Sequence, residues 1–396
     1  MRYTIGIAGA WYSIAGAFYF IVAAFLAKTL RNMPGDSVPM YLSSRFGKTN
    51  ARIYSYIWVV LGFFYIPVQL KTVASVIQIA VPNLNANIAI VLGLCIAAIY
   101  TAFSGMKGAA SVGKVVCVGI YILLVSFVII KLPSFGGYNA MVTSLPEGYG
   151  SLGSMPTQKW VGWIISGILS SMVMQTSLQP IMAAKDVKSA RRGCLIGYIF
   201  GAPICIFTAI IGMMARATTD ELGNGATAYA WAIREYTSPV LAGIIFAVTT
   251  MIIAATMATM MIATGTILTN IYKDQIAPDA SEEKLLKISR YGTLIFSFCT
   301  LLPAFSLPSA SLTSTFQILI QCSTGPVSFS ILAGLLWKRA NQKASLYSMI
   351  VGVVVGIAWV VTGMSSVVET VYPVCISSYA VGIVTTLLTS SKDPVV

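Results

Sequence analysis

Apolar residues along this chain run in eleven long stretches, and the polar residues between them gather in short connectors. The stretches cover 4–28, 53–80, 86–104, 112–132, 160–182, 192–215, 238–269, 288–307, 312–337, 344–363 and 370–390. A helix needs about 20 apolar residues to cross a bilayer, and lipid forces its backbone groups to bond within the helix. Helices of a soluble protein would carry a polar face at a 3.6-residue period, and these carry almost none. The pattern predicts an all-α membrane protein with about eleven transmembrane helices in a single polytopic domain, 1–396. Composition agrees: 57% of residues are hydrophobic, 9% are charged, and mean hydropathy is +0.83.

Charge orients the chain. The net charge of +13 would suit nucleic acid if it formed a patch on a polar domain, but no such domain exists here. Nineteen of the 25 basic residues fall in alternate connectors: Lys28, Arg31, Arg45, Lys48 and Arg52; Lys107 and Lys114; Lys185, Lys188, Arg191 and Arg192; Lys273, Lys284, Lys287 and Arg290; Lys338, Arg339 and Lys343; and the tail Lys392. The other side holds Arg2, Lys131, Lys159, Arg216 and Arg234. The positive-inside rule then places the chain in the cytoplasmic membrane with its N-terminus outside and its C-terminus in the cytoplasm. The first apolar run is too long for a signal peptide and lacks a small-residue cleavage site. The seven cysteines are scattered without metal-ligand or disulfide spacing and read as small packing residues.

The composition of the spans excludes several functions. All twelve acidic residues fall in connectors or tails, and histidine is absent. Proton relays through buried carboxylates or histidines, metalloprotease centres and haem ligation all need those groups. The chain therefore reads as no enzyme and carries no cofactor of its own. One charge does lie within a span. Lys71 precedes the end of its span at Ala80 by nine residues, roughly 13 Å at the helical rise. An unpaired ammonium there costs at least about 2.5 kcal/mol and usually marks function. It must be neutral, bound to backbone carbonyls and water, or paired with an anionic ligand.

Glycines and prolines interrupt several spans, at Gly62, Pro67, Pro180, Pro203, Gly265, Pro303, Gly325 and Pro326. Transporters use such breaks to expose backbone groups near the midplane. Polar side chains gather beside them. Single serines and threonines are better explained by interhelical hydrogen bonds, so buried glutamines are the stronger candidates. Gln69, Lys71, Gln175, Gln317 and Gln321 are the expected solute-binding residues, and Lys71 favours an anionic solute. A channel would show rings of like residues along a pore, and none is found.

Five strings carry a family resemblance. Tyr41–Gly47, Gln179–Asp186 with Ala190–Gly193, Leu336–Asn341, Tyr100–Gly105, and Thr269–Lys273 with Asp279–Glu282 resemble, in order and spacing, the sodium:solute symporter family. The resemblance implies a leucine-transporter-like fold of two inverted five-helix repeats holding a solute midway, with sodium as the coupling ion beside it. Thr259 and Thr256 are the implied ion-binding residues. It also implies a secondary active transporter, a symporter of a small polar or anionic solute, whose partners are that solute and the lipid bilayer, with no nucleic acid.

Departures from the family pattern qualify this. The first span, entered through Ile7–Tyr12, resembles the family's third, so the first repeat is expected to be incomplete, lacking two helices. Met257-Ala258-Thr259 keeps one of two hydroxyls usual there; Val112-Gly113 and Val116 stand where polar groups are usual, Asn270 replaces an Asp and Pro180 an Arg. The chain is expected to be either a fragment of a normal-length carrier or a divergent branch. The competing reading is a non-transporting membrane sensor, or a degenerate or truncated carrier, on the same fold.

Overall fold

Helices α1 (Trp11–Phe25), α2 (Val38–Phe46), α3 (Lys48–Ala80) and α4 (Ala86–Lys131) open the chain. They are followed by α5 (Thr157–Val173), α6 (Gln175–Met182), α7 (Val187–Thr218) and α8 (Pro239–Gln275). The last four are α9 (Glu282–Cys299), α10 (Ser309–Leu336), α11 (Gln342–Val361) and α12 (Val371–Leu388). This computed structural model describes residues 2–81, 83–220, 222 and 227–389, and only the backbone of Arg2, Thr4 and 102–112. Glu221, Lys392 and Asp393, and the side chains of Lys107, Val112 and most of the Tyr100–Gly105 string, lie outside that description.

Among the described residues nine helical segments are long and apolar enough to cross a membrane, ten with the bent pair α5–α6, and Ala86–Thr101 is a shorter apolar helix. Helical backbone is assigned throughout Ala86–Lys131, yet its two apolar limbs run in opposite directions. Gly93 lies against Val73, towards the far end of α3 from Lys48, while Thr101 reaches Met261 late in α8. The second limb returns past Val116 and Cys117, beside Ile252 and Thr256, to Phe127 beside Tyr236. Aliphatic side chains such as Val115, Ile130, Leu302, Val361 and Leu388 are exposed on the outside of the bundle. In lipid that surface is solvated.

The core explains the packing order. α1 lies against α5 and α7, α3 against α8 and α10, and α10 to α12 pack on one another. Tyr54, Trp58, Leu61, Leu70, Met257 and Phe329 belong to the larger buried cluster, and Leu124, Phe127, Ile211, Met213 and Ile245 to a second one. Small residues bring backbones together where side chains would hold them apart. Gly325 faces the Val374 carbonyl of α12, which would lie 2.7 Å from a Cβ at that position.

Most of the expected breaks are absent. Pro67, Pro203 and Pro326 sit inside unbroken helices α3, α7 and α10. A proline removes one backbone bond, and in α10 hydroxyls bind nearby carbonyls: Ser323 to Leu319 at 2.8 Å, Thr324 to Ile320 at 2.5 Å and Ser330 to Pro326 at 3.1 Å. Pro180 likewise continues α6, and the 57° bend falls six residues earlier, at Met174.

One end of the bundle carries the basic connectors, and its arginines hold helix termini. Arg31 donates to the Ala184 carbonyl, Arg191 to Ala24 at 3.2 Å and Arg339 to Leu387 at 3.2 Å. Cations at carbonyl-rich helix ends complement the helix dipole. Arg52 and Lys48 pair with Asp274, at 2.6 and 3.7 Å, tying the start of α3 to the end of α8. Helix starts carry side-chain caps: Asp186 accepts from the Ser189 amide at 2.7 Å. Hydrogen bonds from Ser189 hold that carboxyl below its ordinary pKa.

Candidate solute and cation site

The bend between α5 and α6 organises the centre of the bundle. Met174 is extended at φ −76°, ψ 115°, so helical bonding lapses there. The freed groups have partners, as buried backbone requires. Tyr54 of α3 donates its hydroxyl to the Val173 carbonyl at 2.8 Å, and Tyr19 of α1 donates to Ser177 at 3.2 Å. The Val38 amide, at the start of α2, donates to Gln175 Oε1 at 2.9 Å. Of these, the Tyr54 bond meets the carbonyl freed at the bend, while the Tyr19 and Gln175 bonds tie α1 and α2 to α6 just beyond it.

Two cavities meet at this bend and share Tyr65 and Thr176. The larger, about 350 Å³, is walled by Tyr12 and Ser13 of α1, Trp163, Ser166, Ser170 and Ser171 of α5, Ser177 of α6, and Phe316, Gln317 and Gln321 of α10. Its aromatic groups brace one another: Tyr12 and Trp163 meet edge to face at 5.5 Å, and Tyr65 and Phe316 lie 5.0 Å apart. The Tyr12 hydroxyl lies beside Gln317 and the Tyr65 hydroxyl beside Gln69. Such a mixture of apolar walls and a few convergent polar groups is the usual make-up of a small-molecule site.

The smaller cavity, about 240 Å³, is lined by Thr256 and Thr259 of α8, Val116 and Cys117 of α4, and the shared Tyr65 and Thr176. Thr256 donates to the Ile252 carbonyl at 3.0 Å and Thr259 to Ala255 at 2.9 Å. With each proton committed to its own helix, the oxygen lone pairs remain to accept or to ligate. Hydroxyl oxygens beside a helix break suit a small hard cation.

The structure thus brings together Gln317, Gln321, Thr256 and Thr259 around the α5–α6 bend, with Gln69 beside Tyr65. Two expected solute-binding residues lie elsewhere. Gln175 is fully buried and turned onto Val38, its Nε2 without a partner. Lys71 lines neither cavity, and its ammonium donates to the Leu307 carbonyl just past the end of the Leu301–Ser306 helix. Lys71→Met is expected to lower the melting temperature by the equivalent of about 1.5 kcal/mol, the low end for one charge-assisted bond, and to leave solute affinity unchanged. A loss of solute binding in titrations of the purified variant would place the ammonium in the site.

The sequence reading missed Tyr12, Tyr65, Trp163, Phe316 and Thr176. An aromatic residue in an apolar span looks like any other packing residue until a cavity is seen beside it. Thr176 carried one usable signal, its place next to Gln175 in a run that also holds Ser170, Ser171 and Ser177.

Comparisons with known proteins bear on the family and the fold. The model of the family described as "SSF: Sodium:solute symporter family" matches residues 1–352. The uncharacterized symporter YodF of Bacillus subtilis is 23% identical over 328 residues, 80% of this chain and 65% of that protein. The sodium/glucose cotransporter of Vibrio parahaemolyticus is 24% identical over 361 residues, with the same shares, 80% and 65%. The matches thus span less than two thirds of the length of either relative. The high-affinity proline transporter PutP of Bacillus subtilis is 24% identical over 401 residues, covering 94% of this chain and 82% of that one. Among solved structures, a Na+-coupled sialic acid symporter in a substrate-bound outward-open state superposes with a TM-score of 0.77 at 18% identity, over 98% of this chain and 88% of that chain. Mhp1 in its inward-facing conformation gives 0.60 at 14%, over 99% and 89%. The fold is accordingly of the leucine-transporter type. A match extending over residues 1–352, on a fold that these symporters share, means that the chain belongs to the sodium:solute symporter family.

Proposed function

We propose that this protein is a secondary active transporter that carries a small polar solute together with sodium, in a cell membrane with its C-terminus in the cytoplasm. The observation that carries the reading is the pair of cavities joined at one helix break, one lined with aromatic, hydroxyl and amide groups and the other with threonine oxygens. Tyr65 and Thr176 belong to both, so a cation in one and a solute in the other share walls. Occupancy of either then changes the other's affinity, as coupling requires. In this reading Gln317 and Gln321 hold the solute directly, and Gln69 orients Tyr65. Thr256 and Thr259 ligate sodium. The basic end of the bundle supports the cytoplasmic placement of the C-terminus.

Radioactive sodium binding to the purified protein tests this. Wild type is expected to bind sodium, and Thr259→Ala to weaken binding by about tenfold, equivalent to about 1.4 kcal/mol for one lost ligand. Thr259→Ser, which keeps the oxygen, is expected to retain it. Wild-type protein with no sodium binding would instead favour a degenerate or sensor role on this fold.

A further inference from the structure

We infer that the larger cavity selects an uncharged, polyhydroxylated solute and that Glu369, which lies behind the cavity wall, enforces this by holding Gln321 and repelling anions. This rests on the reading of that cavity as the solute site.

The lining chemistry comes first. Among the described residues that wall the cavity none carries a formal charge. An anionic solute would therefore be desolvated without a counter-charge, and such burial is strongly unfavourable. Lys71, the cation within a span, is committed to the Leu307 carbonyl. The hydroxyls of α5 and the amides of Gln317 and Gln321 can both donate and accept. Solute hydroxyls do the same, so they match such a lining group for group. Tyr12, Tyr65, Trp163 and Phe316 offer apolar ring faces to the carbon-bound hydrogens of a sugar or polyol.

Glu369 adds a charge of one sign. Gln321 Nε2 donates to Glu369 Oε2 at 3.1 Å, which fixes the amide and turns its carbonyl oxygen to other partners. The stem of Glu369 packs against Gly162 of α5 while its carboxylate reaches Gln321 of α10. A Cβ on Gly162 would lie 3.3 Å from Glu369 Cγ and 3.0 Å from the Tyr372 ring. The segment bearing Glu369 is pinned on both sides. Trp359 donates to the Val368 carbonyl at 3.0 Å, Gln158 to Val367 at 3.4 Å, and the Tyr372 hydroxyl to Gln158 at 2.5 Å. Lys159 is the cation on this side of α5, with its ammonium 5.8 Å from the Trp163 ring centroid. It is exposed, so water and salt screen it, whereas Glu369 is half-buried. Glu369, bonded to Gln321, therefore sets a negative charge directly behind the cavity wall. Glu369 acts here as a positioning residue, through Gln321 and through its charge.

The test is binding to the purified protein in saturating sodium, read as ligand-induced stabilisation and calorimetry, so that it does not depend on transport. The probes are size-matched sets: glucose with glucuronate and glucosamine, and myo-inositol and sorbitol with gluconate. At least one neutral polyol is expected to bind about tenfold or more tightly than its carboxylate counterpart, the scale of a like-charge repulsion at partly buried sites. Glu369→Gln keeps the bond to Gln321 and removes the charge. It is expected to hold neutral affinity and narrow the neutral-to-acid ratio several-fold. Glu369→Ala is expected to weaken neutral binding as well. Uronate binding equal to or tighter than that of the sugar, no binding by any neutral polyol, or an unchanged ratio in Glu369→Gln would each overturn the inference. Sodium binding that persists alongside any of these leaves the transporter reading intact, while its loss with polyol selectivity retained would strike that reading alone.

Discussion

Gly167→Ala is expected to destabilise the protein by about 3 kcal/mol, the upper range for overpacking, and to weaken solute binding with it. Gly167 of α5 meets α1 backbone to backbone: a Cβ on it would lie 2.5 Å from the Ala15 carbonyl carbon, 2.6 Å from its oxygen and 2.8 Å from the Gly16 nitrogen. No side chain is available to rotate away, so the two helices must part. Both wall the larger cavity, through Tyr12 and Ser13 on one side and Ser166 and Ser170 on the other. Gly243 in α8 is the internal control, because a Cβ there meets nothing within 4 Å. Gly243→Ala is expected to be neutral or to stabilise by roughly 0.5–1 kcal/mol, since alanine favours helix. Melting curves of the two variants side by side decide the matter. Equal melting temperatures would mean that α1 and α5 do not pack as described.

The second large effect is expected at Arg45. Its Nε donates to the Gly334 carbonyl, and Nη2 to those of Trp337 and Lys338, all at 3.2 Å, so one guanidinium caps the last turn of α10 from α2. It also lies 4.9 Å from the Phe46 ring. Charge-assisted bonds of this kind contribute about 1.5–3 kcal/mol, and Arg45→Met is expected to lose about 2–3 kcal/mol. Burial pushes the guanidinium pKa down from its ordinary value. Even so, arginine titrates far above physiological pH, so the effect is expected to be flat with pH across the neutral range. Arg45→Lys should restore little of it, because a point ammonium cannot span three carbonyls. Faster amide exchange across Val38–Phe46 in the variant would show α2 released. Exchange as slow as in wild type would refute the clamp.

The two variants also illustrate what could be read in advance. Arg45 was legible as a basic residue in a basic connector and as part of a family string, but its three carbonyl partners come from residues almost 300 positions away. Gly167 carried no signal at all, since a glycine in an apolar span is unremarkable until a second backbone is placed on it. The α5–α6 bend shows the limit most clearly. Proline is the usual local marker of a break, and Pro180 was the visible one. Yet α6 runs on through Pro180, whereas the Val173 carbonyl freed at the bend is met by the Tyr54 hydroxyl of α3. Nonlocal partners decided where the helix bends.

Amino-acid order alone determined the solvent, the helical stretches, the basic end of the bundle and the family. Each of these depends on local composition or on a short string, so no knowledge of distant contacts was needed. Amide residues near the centre were legible because polar groups in lipid are costly and therefore conspicuous, which marked Gln317 and Gln321, while Thr256 and Thr259 were marked by the family resemblance. Tertiary structure decided which of the polar groups face a cavity. It turned Gln175 onto α2 and Lys71 onto Leu307, and set Tyr12, Tyr65, Trp163 and Phe316 around the space between. A side chain's direction depends on the azimuth of its helix against its neighbours, and hydrophobicity that is nearly uniform around a helix leaves that azimuth unwritten.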